Sequence, residues 1–303
     1  AVYLNYLEYA RMEFLDRIVF DFKTLIARRL NALFLIAFLP LSAFAQMSAF
    51  QEQPVPVYLN FGSGFGILQS YDAGASPLQY RGIAFNLQTG MSVEWKNFRF
   101  LCDLQTVGAM TRNSLQPILK YSAYACGIDG KLSVIHLLAD RQQNRLRFWG
   151  GGALGSYFDL KFFPALMNAS FCMSSFVNLN AEGRVEYDFS FGKYHEAETP
   201  WPWTAFGQLS LPLLSSVSRP GFAYMDNYTS SIQMAKTLFS SYQSRLKPLA
   251  GIATEIGLAY HLKNKNQIAF SYRWHYLSTG KTGYYRFDNS EHLINIVLLF
   301  NLN

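Results

Sequence analysis

The chain has 303 residues, with 26 Lys and Arg against 20 Asp and Glu for a net charge of +6; it is 17% aromatic and only 15% charged. The basic residues are scattered and form no stripe, so no nucleic-acid partner is expected. The five His (His136, His195, His261, His275, His292) are dispersed and Gly150-Gly151-Gly152 sits inside a strand pattern, so neither a metal nor a phosphate-binding cofactor is expected.

In chain order, Lys23 to Ala45 has the anatomy of a cleavable secretory signal. Basic residues (Lys23, Arg28, Arg29) precede an apolar run from Leu30 to Phe44, and Ala43-Phe44-Ala45 closes it as a small-x-small site. The run holds Pro40 and is shorter than the roughly 20 residues a spanning helix needs. Residues 1–22 are expected to be an over-extended N-terminus. Removing residues 1–45 takes away five basic and four acidic residues, so residues 46–303 carry a net charge of +5 and suit one domain. Cys102, Cys126 and Cys172 are odd in number and far apart, which is not a disulfide framework; a single Cys126–Cys172 bridge stays open.

From Val55 onward the pattern has period two, the mark of strands with two unlike faces. Val57, Leu59, Phe61, Phe65 and Ile67 alternate with Tyr58, Asn60, Gly62, Gly64 and Gly66. Tyr71 to Gly82 reads as a loop. Ile83, Phe85, Leu87, Met91, Val93 and Trp95 make the greasy face of a second strand, and a Lys96-Asn97 turn leads to a third (Phe98, Phe100, Cys102, Leu104). A fourth strand lies between Leu119 and Leu137, and a fifth spans Arg145 to Phe162. The sixth alternates Val177, Leu179, Ala181, Val185, Tyr187 and Phe189 with Asn178, Asn180, Glu182, Arg184, Glu186 and Asp188. Arg or Lys facing lipid at mid-bilayer costs roughly 2–4 kcal/mol, so this register is strongly specified. Trp201 to Ser216 is a seventh strand, followed by an irregular stretch from Val217 to Leu246 with a short helix near Ser231–Tyr242. Ile252 to Leu262 is an eighth strand, and a Lys263–Asn266 turn leads to a ninth (Ile268, Phe270, Tyr272, Trp274, Tyr276). A loop from Thr279 to Glu291 precedes the tenth (Ile294, Ile296, Leu298, Phe300, Leu302).

The fold expected is all-β: a transmembrane antiparallel up-and-down barrel of about ten strands, between eight and twelve. Short connections alternate with longer ones, which puts both termini in the periplasm, and aromatics gather at the strand ends as interface belts should. The signal, the alternating strands and the alternating apolar final strand resemble bacterial outer-membrane β-barrel proteins across residues 46–303. The aromatic richness and Asn-rich ending are similar to barrels of Bacteroidota-type bacteria. That resemblance implies outer-membrane lipids as surroundings and the barrel-assembly machinery as a partner during insertion.

A barrel of this size has a narrow interior that side chains fill. The inward positions carry both signs of charge, and Arg145, Arg147, Glu182, Arg184, Glu186, Asp188, Glu255 and Arg273 are expected to pair there and plug the lumen. The role expected is structural, surface-binding or narrow transport. Tyr272-Arg273-Trp274-His275-Tyr276-Leu277-Ser278 resembles the His/Ser strand of lipid A deacylases, which implies an alternative, a lipid-modifying hydrolase using His275, with Ser278 and with Glu255 as its orienting group. A regular strand sets His275 and Ser278 on opposite faces. Tyr284, Tyr285, Arg286 and Phe287 place three aromatics and an Arg in the last loop, a composition suited to binding an external partner.

Overall fold

The structure, a computed structural model, describes residues 55–74, 76–113, 122–141, 145–164, 171–190, 202–220, 242–247, 249–280 and 286–302. The expected signal segment, the 22 residues before it, and Tyr284 and Tyr285 lie outside the described residues. Eleven strands follow in order: β1 (Val57–Asp72), β2 (Ser76–Trp95), β3 (Phe98–Asn113), β4 (Ser122–Arg141), β5 (Leu146–Phe162), β6 (Phe171–Phe189), β7 (Trp203–Pro220), β8 (Tyr242–Lys247), β9 (Ala250–His261), β10 (Gln267–Ser278) and β11 (Phe287–Asn301).

Every pairing is antiparallel. Neighbours in sequence pair in turn, β1 pairs with β11, and a β6–β7 pairing completes the ring. β8 and β9 pair with successive parts of β7, Ser215–Pro220 and Trp203–Ser210 respectively, so together they form one stave. The sequence has Pro248, which cannot donate to a ladder, at the break between them. Ten staves therefore close the barrel. Followed round the ring, the register climbs by about 14 residues, which tilts the strands by roughly 45° and sets a backbone radius on the order of 10 Å.

The greasy faces point outward, as the alternation requires. Ile83, Phe85 and Leu87 are 64–69% exposed, and Phe65, Leu179, Ile256, Phe270 and Ile294 are all more than half exposed. A water-soluble barrel would bury such residues; an exterior of this kind needs lipid against it. At the end bearing the Lys96-Asn97 and Lys263–Asn266 turns, aromatics gather in a belt: Trp203 against Tyr260 at 4.8 Å, Tyr187 stacked on Phe189 at 6.1 Å, and Phe61 edge-on to Phe300 at 6.3 Å. Toward the other end Tyr124 stacks on Phe162 and Trp274 on His292.

Three expected loops are shorter than the sequence suggests. β2 begins at Ser76, so the predicted Tyr71–Gly82 loop is a connection of three residues; β11 begins at Phe287, inside the predicted Thr279–Glu291 loop; and β7 runs on to Pro220, with β8 starting at Tyr242. The cause is common to all three. Beyond the apolar band the outward residues turn polar (Gln79, Arg81, Asp288, Ser290), so the two faces no longer differ and the strand signal fades, although the pairing continues. Of the short helix expected near 231–242, only Tyr242 is described, and it opens β8.

β7 also changes face midway. Leu179 of β6 pairs with Leu214 while Asn180 pairs with Pro212, which leaves Leu213 as an extra residue. Leu213 and Leu214 are both exposed, at 59% and 42%. Before this bulge Thr204 and Ser210 face inward; after it Ser215, Val217 and Arg219 do. Pro212 has no N–H to give to the ladder, so the pairing lapses where a bulge does least damage. On β1 the inward residues at 62, 64 and 66 are glycines, and a Cβ at Gly66 would sit 1.7 Å from the His292 carbonyl oxygen. β1 and β11 are thus coiled together more tightly there than any side chain allows.

Deleting Leu213 should move Arg219 from the lumen to the outer face of the rim and take it away from Asp72. We expect the barrel in phosphatidylcholine vesicles to lose about 3 kcal/mol in urea unfolding, because buried Asp72 loses Arg219. A transition at the wild-type midpoint would show that the bulge does not set the register.

Candidate functional site

The inward faces build a polar site inside the barrel, in three tiers along its axis. The first lies nearest the Lys96-Asn97 turn. Arg99, 7% exposed, bridges Glu186 at 2.6 Å and Glu94 at 2.6 Å and lies over the Trp149 ring at 4.4 Å. Glu186 also takes Arg184 (2.7 Å) and the Trp149 indole N–H (3.2 Å), and Arg147 bridges to Asp188 at 3.0 Å. The Thr204 hydroxyl donates to Asp188 at 2.5 Å and lies 2.8 Å from His261 Nε2. Four of the expected network residues (Arg147, Arg184, Glu186, Asp188) are therefore one connected cluster. Strand alternation on β6 and its register with β5 bring them together.

The middle tier joins Lys131 to Glu182 at 3.1 Å and Arg273 to Asp129, while Asn60 donates to Asp103 at 3.2 Å. Glu255 stands opposite Arg273 in the β9–β10 register. Arg145 belongs to the turn rather than the lumen wall; its carbonyl accepts the Asp188 N–H at 2.8 Å. Toward the far side of this tier Tyr157 donates to Glu291 at 2.8 Å, Asn289 donates to both, and His275 approaches Glu291 at 3.9 Å and packs edge-on to Tyr157 at 5.4 Å.

The third tier is the driest. Arg219 of β7 pairs with Asp72 of β1 at 2.5 Å and donates to Ser174 at 3.1 Å; Lys161 pairs with Asp159 at 2.9 Å, both on β5. Lys161 and Arg219 both lie over the Phe287 ring, at 4.1 and 4.8 Å. Tyr157, Phe176, Val217, Leu249, Leu277 and Phe287 form an apolar cluster beside them. Side-chain exposure is 25% and 34% at Arg147 and Glu94 on the edge of the first tier, 8% and 4% at Arg99 and Glu186 within it, and 1–3% at Asp72, Lys161 and Arg219. A cavity of about 340 Å³ occupies the first two tiers, bounded by Arg99, Lys131, Glu255, Arg273, Tyr157 and His275, and none of the third-tier charges lines it.

The lipid-hydrolase arrangement expected at His275 does not form. His275 points into the lumen beside Glu291, not Glu255. Ser278 lies on the outward face and donates to Asp288 at 2.6 Å. Alternation keeps the two apart, with no bulge between them. Phe287, expected on the surface, is fully buried inside the barrel, because β11 extends to include it; Arg286 is 46% exposed at its side chain, pairs with Asp288 at 2.8 Å and lies over Tyr71. All three cysteines are free: Cys126 lies on the outward row with Tyr124 and Ile128, whereas Cys172 is buried inward beside Asp72, so a bridge between them is ruled out.

Asp72, Asp129, Lys131, Tyr157, Arg219 and Glu291 are lumen residues that the sequence reading did not single out. Asp129, Lys131 and Tyr157 share the inward parity of strands already recognised. Asp72, Arg219 and Glu291 lie on strand tips read as loop, and Arg219 has in addition crossed the β7 bulge.

Arg219→Met should cost about 3 kcal/mol of stability, because it removes the nearer of the two cations beside buried Asp72 and leaves it only Lys161 at 4.0 Å. Adding Asp72→Asn should recover at least half of that loss. Urea unfolding in vesicles checks both values; equal losses in single and double variants would mean that the two do not act as a pair.

No protein family and no curated protein matches the sequence. In structure the chain is similar to the Neisserial surface protein A (12% identity, TM-score 0.27, covering 80% of this chain and 97% of that one). It is also similar to the translocator domain of the autotransporter NalP from Neisseria meningitidis (9%, 0.42, 88% and 94%) and to the COG4313 outer membrane channel from Pseudomonas putida F1 (8%, 0.33, 84% and 98%).

Proposed function

We propose that this chain is a bacterial outer-membrane β-barrel whose lumen is shut at one end, and that it serves as a structural and surface-binding protein rather than as a conduit. The observation that carries the reading is the Asp72–Arg219 pair. It ties β1 to β7 across the ring, with Lys161 and Asp159 of β5 beside it and Phe287, Phe176 and Leu277 filling the remaining space. A backbone radius on the order of 10 Å leaves only a few ångströms after inward side chains are counted, and charged pairs this dry have no water path between them. The cavity in the first two tiers is then a cul-de-sac entered from the short-turn end.

The short turns, the termini and this wet half of the lumen face the periplasm, as short turns do in outer-membrane barrels. Membrane lipids surround the exposed Phe, Ile and Leu band, and the barrel-assembly machinery inserts the chain. Ion pairs and hydrogen bonds already occupy the surroundings of the lumen-facing His275, so the geometry gives it no lipid substrate.

Planar-bilayer recording of the refolded protein tests the closed lumen. Wild type is expected to give no conductance steps, and Arg219→Ser combined with Phe287→Ala to give small ones; stepwise conductance by wild type would overturn the proposal. Orientation has its own check. A cysteine placed at Lys265 should stay unlabelled by an impermeant maleimide on intact cells and become labelled once the outer membrane is permeabilised, with wild type as the background.

A further inference from the structure

The outward face of β10 and β11 carries a second polar group, just where the apolar band ends. Along β11 the outward row reads Leu298, Ile296, Ile294, then His292, Ser290 and Asp288. Ile294 and Ile296 are 53% and 49% exposed to the surroundings of the barrel. Beside them on β10 stand Tyr272 and Trp274. The Trp274 indole N–H donates to Ser290 Oγ at 3.2 Å, Ser290 Oγ lies 3.3 Å from His292 Nε2, and His292 Nδ1 lies 2.6 Å from Tyr272 Oη. The Trp274 and His292 rings stack at 6.1 Å with their planes 12° apart, which holds the imidazole flat against the wall.

An indole N–H can only donate, so Ser290 Oγ accepts from Trp274 and keeps its own proton and a second lone pair for His292 Nε2, donating or accepting according to the imidazole tautomer. A neutral imidazole that accepts at Nε2 carries its proton on Nδ1, and that N–H donates to the Tyr272 oxygen. In that tautomer the serine hydroxyl faces the lone pair of a histidine whose other nitrogen is anchored, which is the arrangement of an activated nucleophile and its base. A cleft lined by Tyr71, Trp274, Tyr276, Arg286 and Ser290 opens beside the hydroxyl.

We propose that Ser290 and His292 form an interfacial esterase site for the acyl ester of a membrane lipid. Depth selects the substrate class. The residues on one side of the site are lipid-facing isoleucines and on the other a charged Arg286–Asp288 pair, so the serine lies at the level where acyl chains meet headgroups and ester carbonyls reside. Ser290 Oγ attacks the ester carbonyl carbon as its proton moves to His292 Nε2. The tetrahedral adduct collapses, the C–O bond to the lipid alcohol breaks, and His292 returns the proton to that oxygen. Water, deprotonated by His292, then attacks the acyl-Ser290 carbonyl; fatty acid leaves and the serine regains its proton. The site is independent of the closed lumen and rests only on the barrel lying in lipid.

The test uses the refolded full chain in detergent micelles, with folding verified by its heat-dependent shift in electrophoresis. A fluorophosphonate probe should label Ser290, located by peptide mass spectrometry. Hydrolysis of 4-nitrophenyl dodecanoate should fall by about 100-fold or more in Ser290→Ala and in His292→Asn. His275→Ala and Ser278→Ala should retain it. Phosphatidylethanolamine vesicles and purified lipopolysaccharide then serve as separate substrates, and fatty acid released from either identifies the lipid. A folded barrel with no labelling and no hydrolysis above background overturns the proposal, and labelling without fatty-acid release from either lipid overturns the lipid assignment. Hydrolysis in micelles by a barrel that fails to enter vesicles would count against the membrane reading and leave the site standing.

Discussion

A chain surrounded by hydrocarbon has no water to satisfy its peptide groups, and the rest of this structure follows from that. Each unpaired N–H or C=O would cost several kcal/mol, so the sheet has to close on itself. The β1–β11 and β6–β7 ladders do this, and ten staves fix the width of the interior. The width in turn governs the inward residues. Charges on facing walls come close enough to need partners, and Glu186 collects three arginines and an indole within one tier. Where β7 would have pointed Arg219 the wrong way, one extra leucine corrects it.

The parts of the fold that were legible in the sequence are those where the two environments differ most. At Val177 to Phe189 lipid lies on one side and a charged lumen on the other, and the alternation alone placed every side chain on its observed face. At Phe287 to Glu291 the outward residues are polar and the inward ones mix polar with apolar, so the same alternation is invisible although the ladder continues through it. Of the third-tier charges, Asp159 and Lys161 follow the fifth strand's alternation, whereas Asp72 and Arg219 lay beyond that horizon, and Arg219 was further hidden by a parity change that only a Pro-Leu-Leu sequence hints at. The opposition of His275 and Ser278 was legible, since it follows from counting three residues along a strand. Partnership of Ser290 with His292 was not, because both fell in a stretch read as loop and at the edge of the next strand.

The interior and exterior rows also divide the chemistry of the chain. Inward groups are tied into pairs and networks and hold the wall in place. Outward polar groups at the far rim are held by short hydrogen-bonded chains within β11 and to β10, and face the boundary of the membrane. A rigid ladder beneath them fixes their spacing, with Gly66 seated against the His292 backbone where no side chain would fit.

The gradient of exposure along the lumen means that the barrel has no single dielectric. Ions of the surrounding solution reach Arg147 and Glu94 and weaken their attraction, whereas Asp72 and Arg219 interact as charges do inside a protein, out of reach of any counter-ion. The outer contacts of the first tier are therefore held by forces that the solution can tune, and the third tier by forces it cannot. A change in ionic strength would loosen the barrel from the short-turn end inward and leave the far rim, with the surface groups mounted on it, in register.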